Sequence, residues 1–137
     1  MAPMPLFGQE HVARYRETAG EEGHDWQGTK TLLLTTTGRR SGERRELPLI
    51  YGRDGDDYLV VASKGGAPEH PAWYLNLEAN PDVEVQVGAD RFKARARTAT
   101  ADERPRMWKT MTAEWPAYDE YQTKTDREIP IVVLSRT

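Results

Sequence analysis

The chain contains no cysteine among its 137 residues, which removes disulfides, thiolate nucleophiles, iron–sulfur clusters and zinc–cysteine sites, and fits a reducing cytoplasm. Long apolar runs are absent too. No window approaches the roughly 20 apolar residues of a transmembrane helix. The start, MAPMPLFGQEHVARYRE, has neither the basic opening nor the apolar stretch of a signal peptide. Histidine is scarce, and His11, His24 and His70 stand alone with no second ligand at metal spacing. There is no G-x-S-x-G or comparable nucleophile setting. Asp54, Asp56 and Asp57 answer to turn chemistry rather than to acid–base work. A formal net charge of -3 opposes nucleic-acid binding, and the basic stretch 91–97 lacks the interleaved aromatics that stack on bases. With no repeat, low-complexity tract or linker, the length suits one domain with a proper core.

Against that acidic total stands a basic island. The run TTTGRRSGERR places Arg39, Arg40, Arg44 and Arg45 within seven positions, beside Gly38, Ser41 and Gly42. Guanidinium forks and bare backbone N–H groups in a glycine-rich turn suit phosphate and carboxylate oxygens. The plainer alternative is a solvated hairpin tip. A second cluster, Ser63-Lys64-Gly65-Gly66, ends an apolar stretch and favours the anion site, with Lys64 as a point charge and the glycines allowing close backbone approach. It lacks the spacing of a nucleotide P-loop.

The pattern of elements is hairpin-rich. TKTLLLTTT (29–37) reads as a buried strand and RELPLIYGR (45–53) as its partner, with Pro48 demanding an edge or a bulge. DYLVVAS (57–63) follows a DGD turn. Pro71 opens a helix over 71–79 that Asn80-Pro81 stops. Val83, Val85 and Val87 alternate with polar residues, and 91–97 forms the hairpin partner with a basic outer face. Thr100 and Glu103 make a capping box for a helix through Met107, Trp108, Met111 and Trp115. A last strand covers 129–134. About six strands and three helices predict an antiparallel barrel with helices packed on it.

Two features bear on a pocket. Trp115, Tyr118 and Tyr121 are spaced three apart, and Trp73 and Tyr74 lie near the glycine cluster; these rings read either as core packing or as a pocket rim. Leu6 to Tyr15 reads as a short amphipathic helix, either packing on the domain, covering a pocket or touching a membrane surface. An anion site of cofactor size without a nucleophile fits a protein that orients a cofactor which does the chemistry.

The blocks TTTGRRSG, ASKGG, PAWYLNLEANP and TDREIPIVV, colinear over 35–134, resemble the deazaflavin-dependent nitroreductase family of actinobacteria, which uses coenzyme F420. The resemblance implies a mainly β (α+β) fold: a six-stranded antiparallel split β-barrel of the flavin-reductase and pyridoxamine-oxidase type with about three packed helices. Residues 1–28 would form an N-terminal helix and connection, and 29–137 the cofactor-binding barrel. By position, Arg39, Arg40, Ser41, Arg45 and Lys64 match the residues that hold the anionic F420 tail. Pro48, Leu49, Ile50, Ala62, Ser63, Ala72, Trp73, Tyr74, Leu75 and Asn76 match those around the deazaflavin. Tyr118 and Tyr121, with Ile50 and Trp115, fall on the substrate side.

The implied activity is hydride transfer from reduced F420 to a small electron-poor acceptor, whether quinone, activated enone or nitroaromatic. Ser63 and Tyr118 would polarise the acceptor oxygen or relay a proton. Ile50 and Trp115 replace tyrosines of the prodrug-activating member, which favours quinones over nitroimidazoles. Two alternatives stay open: a non-catalytic carrier of F420 or a fatty-acyl ligand, and an FMN- or haem-binding split barrel. No metal or nucleic acid is expected. The expected location is cytoplasmic; peripheral membrane contact and oligomeric state stay open.

Overall fold

A computed structural model describes residues 8–137, which run through α1 (Gly8–Glu17), β1 (Asp25–Trp26), β2 (Thr29–Thr37), β3 (Arg44–Ile50), β4 (Gly52–Asp54), β5 (Asp57–Val61), α2 (Ala72–Ala79), β6 (Asp82–Val87), β7 (Asp90–Thr98), α3 (Arg104–Glu114), α4 (Ala117–Thr123) and β8 (Ile131–Arg136). All pairings are antiparallel, in the order β1-β2-β6-β7-β8-β5-β4, and β3 pairs with the free side of β2. β3 and β4 are one stretch of chain bent at Tyr51. Its first half pairs with β2 and its second half with β5, so the bend closes the sheet into a split barrel.

The described residues hold eight strands and four helices, where about six and three were expected. Both differences have local causes. The single strand expected over 45–53 breaks at Tyr51, because its halves serve opposite edges of the barrel. β1 has only two residues, too few to show alternation. The helix expected to run through Trp115 ends at Glu114, and Pro116 opens α4 instead. The last strand begins at Ile131 rather than 129. Pro48, opposite Leu33, sits on β3, which has β2 as its one partner, so the missing N–H leaves no ladder bond unmade.

The apolar runs are continuous because several strands bury both faces. In β5, Val60 faces the barrel interior while Leu59 and Val61 face α3 and α4; in β8, Val132 and Leu134 face inward while Ile131 and Val133 join that second cluster. Each such side chain, fully buried, contributes about 1.5–3 kcal/mol. Leu33 of β2 turns away from the barrel to meet Val12 and Tyr15 of α1. Leu6 and Phe7, expected on the same apolar face, lie outside the described residues.

The N-terminal helix is fastened by polar bonds as well. The Tyr15 hydroxyl donates to the Thr31 carbonyl at 3.0 Å and accepts from the Gly88 N–H at 2.7 Å. Burial pushes that hydroxyl up to about 12, so it stays a neutral donor. No described helix is long and apolar enough to cross a membrane.

The capping box closes as its sequence indicates. Glu103 accepts from the Thr100 N–H at 2.9 Å and Thr100 from the Glu103 N–H at 3.3 Å. Arg97 adds a fork to the same carboxylate at 2.7 and 2.9 Å. The Arg97 hydrogen bond, then the Thr100 N–H, lowers the Glu103 carboxyl to about 2 from 4.5. A lowered acid favours folding when ionised. Its contribution is therefore complete above 4.5 and fades as pH falls towards 2. We expect wild type to melt above the Glu103→Gln variant near neutrality, with the gap closing over that acid window; a thermal-melt series across pH measures it.

Candidate active site

Two cavities open along β3 and α2. The first, of about 520 Å³, is lined by apolar and aromatic side chains, among them Leu49, Ile50 and Trp73. The second, of about 470 Å³, is lined by Arg39, Arg40, Ser41 and Arg45 with Ala72 and Asn76. Leu47 and Trp73 line both. Together they form one groove, apolar at one end and cationic at the other.

The cationic end follows from strand alternation and a turn. Successive residues of a strand face opposite sides, so Arg44 and Arg45 part company: Arg45 reaches the groove, while Arg44 turns to an ion pair with Glu84 of β6. Arg39 donates to the Asn76 side-chain oxygen from its backbone N–H at 3.2 Å and from its guanidinium at 3.0 Å. That partner is neutral, so the charge is uncancelled. Arg40 forms no ion pair among the described residues, and Arg45 meets Glu43 at 3.3 Å with both side chains more than half exposed, a pairing of little strength. Glu46, the acid in this wall, is taken by Arg16 at 2.9 Å. The donor set therefore suits a polyanion.

At the other end, the turn after β5 has an unusual backbone. Ser63 is right-handed (φ -80°, ψ -37°), and Lys64, Gly65 and Gly66 follow at φ +47°, +64° and +88°. Such a succession points neighbouring N–H groups into one concavity. The N–H groups of Ser63, Lys64 and Gly65 take no acceptor among the described residues. Gly66 is required by space as well as by φ: a Cβ there would lie 2.7 Å from the Tyr121 carbonyl oxygen. α4 therefore packs directly on this turn. Lys64 lines the apolar cavity and pairs with Glu69 at 3.0 Å, and that hydrogen bond holds the Glu69 carboxyl below its ordinary range.

The remaining wall is an arc of rings. His11 stacks on Trp26 at 6.1 Å, Trp26 meets Trp115 at 6.0 Å, and Trp115 donates to the Tyr121 hydroxyl at 3.4 Å. Tyr121 in turn meets Tyr118 edge-on at 6.1 Å. Tyr118 is buried, and desolvation, then the neighbouring Tyr121, pushes its phenol well above the usual range, so it remains protonated. Neither its hydroxyl nor that of Ser63 has a partner among the described residues, and both residues line the cavity.

Most residues singled out in the sequence fall on this groove: Pro48, Leu49, Ile50, Ser63, Lys64, Trp73, Trp115, Tyr118 and Tyr121 at the apolar end, and Arg39, Arg40, Ser41, Arg45, Ala72 and Asn76 at the cationic end. Three line neither cavity. Ala62 and Tyr74 belong to the barrel core, with the Tyr74 hydroxyl 2.6 Å from that of Thr98, and Leu75 is half-buried on α2. Sequence reasoning did not find His11, Trp26 or Thr31, which line the apolar end. His11 stands on the helix read over Leu6 to Tyr15 but is not one of its apolar residues, and Trp26 stands on a two-residue strand with no period. Thr31 lies inside a run read as buried strand.

An apolar aromatic cavity beside a cationic one is the geometry on the chain, and comparisons with known proteins supply its family. Residues 7–136 match the family model described as F420H(2)-dependent quinone reductase. The F420H(2)-dependent quinone reductase Rv1261c of Mycobacterium tuberculosis (strain ATCC 25618 / H37Rv) is 46% identical over 130 residues, covering 92% of this chain and 87% of that protein. A solved structure described as F420-H2 dependent reductase (FDR-A) is 45% identical with a TM-score of 0.71, over 77% of this chain and 93% of its own. Another, described as a domain-swapped dimer, is 41% identical with a TM-score of 0.75, over 93% of this chain and 96% of its own. The match runs over nearly the whole length, and the chain belongs to the F420H(2)-dependent quinone reductase family.

Proposed function

We propose that the protein reduces a quinone-type acceptor at the apolar end of the groove, with the F420 tail held at the cationic end. The observation that carries this reading is that the apolar and the cationic cavity share Leu47 and Trp73 in their linings. When bound, reduced F420 supplies a hydride, and every other requirement falls to the chain.

Arg39, Arg40 and Arg45 bind the tail by charge-assisted contacts remote from the reacting atoms, which is where binding energy can be spent on orientation. Lys64, whose ammonium keeps further donors beside its bond to Glu69, can join them. Trp73 and the β3 residues Pro48 to Ile50 hold the ring in the apolar slot, and the arc from Trp26 to Tyr121 presses the acceptor towards it and keeps water out. A quinone that takes up a hydride has gained two electrons and one proton, and needs one more proton to leave as the hydroquinone. The Ser63 and Tyr118 hydroxyls, which line this end with no partner among the described residues, would hydrogen-bond the acceptor oxygen and relay that proton from solvent. A phenol held above its usual range is not itself the net source. Ile50 places an aliphatic side chain where a phenol would offer another hydrogen bond, so recognition there rests on shape. In this reading residues 29–137 bind the cofactor, and Gly8, His11 and Trp26 of the preceding segment roof the acceptor side.

A titration of F420 against the protein, followed by fluorescence polarisation, tests the reading. Two largely exposed charge-assisted contacts are worth about 1 kcal/mol each, so Arg40→Ala with Arg45→Ala is expected to weaken F420 about 30-fold while leaving the acceptor KM near wild type. Unchanged affinity in the double variant would remove the arginines from the site. Tight F420 binding without turnover of any quinone would make the protein a carrier.

A further inference from the structure

Arg127 lines neither cavity, yet its guanidinium is spent on the turn that does and on the residues flanking it. Its Nε donates to the Ala67 carbonyl at 2.9 Å, one terminal nitrogen to the Ala62 carbonyl at 3.3 Å and to His70 Nδ1 at 3.1 Å, and the other to the Ser63 carbonyl at 2.8 Å. Arginine has no acceptor, so His70 Nδ1 must offer its lone pair here. All of these acceptors are neutral. The residue is itself fixed from α4, since Gln122 donates to the Arg127 carbonyl at 2.8 Å.

We propose that Arg127 is the positioning residue of this site: through the carbonyls of Ala62, Ser63 and Ala67 its planar fork holds the turn 63–66 in the conformation that presents the Ser63 hydroxyl and Lys64 to the groove. The physical need is plain. The turn carries a non-glycine residue at φ +47° followed by two glycines, a backbone that is both strained at Lys64 and entropically costly to order. Its own bonds are few: the Gly66 N–H reaches the Ser63 carbonyl at 2.9 Å and the Ala67 N–H the Lys64 carbonyl at 3.1 Å. Three donor nitrogens in one rigid plane fix three carbonyl directions at once. An ammonium, a point charge on a flexible stem, does not. The positive charge also sits behind the Ala62 and Ser63 carbonyls, and across those trans peptides the Ser63 and Lys64 N–H groups point away from it. That polarises the turn in the sense that favours negative charge on the groove side.

The proposal rests on the F420 reading only for its catalytic consequence, so its test has two arms. The first is amide hydrogen exchange on the protein without cofactor. In Arg127→Lys and Arg127→Gln, protection at Gly66 and Ala67 is expected to fall about ten-fold or more, the effect of losing hydrogen bonds to a charged group, with β8 amides unchanged. If the glutamine variant does not fold, the lysine variant carries the test. The second arm is F420 affinity and kcat, both expected about ten-fold lower in the same variants. Wild-type exchange in the lysine variant would overturn the proposal, because charge alone would then suffice. Faster exchange with unchanged affinity and kcat would also overturn it, leaving Arg127 a purely structural clamp. A wild-type protein that fails to bind F420 would defeat the cofactor reading instead, while the exchange arm would still decide whether Arg127 sets the turn.

Discussion

Replacing Gly66 by alanine is expected to cost about 2–4 kcal/mol of stability and to raise the acceptor KM sharply while sparing the cationic end of the groove. The added methyl would stand 2.7 Å from the Tyr121 carbonyl oxygen and 3.0 Å from the Lys124 Cβ, at a φ of +88°. Two of those facts concern backbone, which cannot swing aside as a side-chain tip can. The turn or α4 must move, and α4 carries Tyr118 and Tyr121. Gly65 supplies the control. Its φ is +64°, but a Cβ there meets nothing within 4 Å, so Gly65→Ala should show backbone strain alone, about 1 kcal/mol. Urea unfolding and steady-state kinetics on the two variants separate the terms. Equal penalties in both would mean that the contact with α4 yields without cost.

Trp73→Ala is the second large effect. Trp73 is 8% exposed and stands in the wall that both cavities share. Removing a buried tryptophan typically costs about 3–5 kcal/mol, a heavy fraction of a domain's total. The same change deletes the surface that aligns ring and tail, and F420 affinity should fall by about 100-fold or more, equivalent to about 2.7 kcal/mol. Trp73→Phe separates the two roles. It restores a buried ring and most of the stability, yet leaves the groove too wide at the junction and recovers only part of the affinity. Melting curves beside F420 titrations decide it. Affinity near wild type in the alanine variant would show that the two cavities act separately.

The parts of this design legible in the sequence are those written in local chemistry. LLL in β2 announced a buried strand, Thr100 with Glu103 announced a helix start, and clustered arginine with glycine announced what is now the cationic wall of a cavity. Even the parting of Arg44 from Arg45 was latent in strand alternation, given that both stand on β3. What stayed hidden depends on partners far along the chain. The break at Tyr51 is invisible because each half of that strand looks regular; only its two different neighbours, β2 and β5, show where it bends. The division of α3 from α4 at Trp115-Pro116 hid Trp115 in a linker rather than on a helix face. His11 came to the groove through the long-range Tyr15 anchor, which helix periodicity does not reveal, and Trp26 through a two-residue strand too short to have a period. Arg127 falls inside the block TDREIPIVV, but the acceptors that give it a role stand 57 to 65 positions away.

That Tyr15 anchor has a consequence for how such proteins could exchange parts. One phenol reads two backbone groups, the Thr31 carbonyl of β2 and the Gly88 N–H of the β6–β7 turn, 73 positions away. A donor helix from a relative would arrive with its hydroxyl set for that relative's turn. Grafting the front segment alone therefore offers one half of a matched pair. A transplant meant to change the roof over the acceptor would have to bring the β6–β7 turn along with it, so the unit that can be inherited or engineered as a piece is discontinuous in the chain.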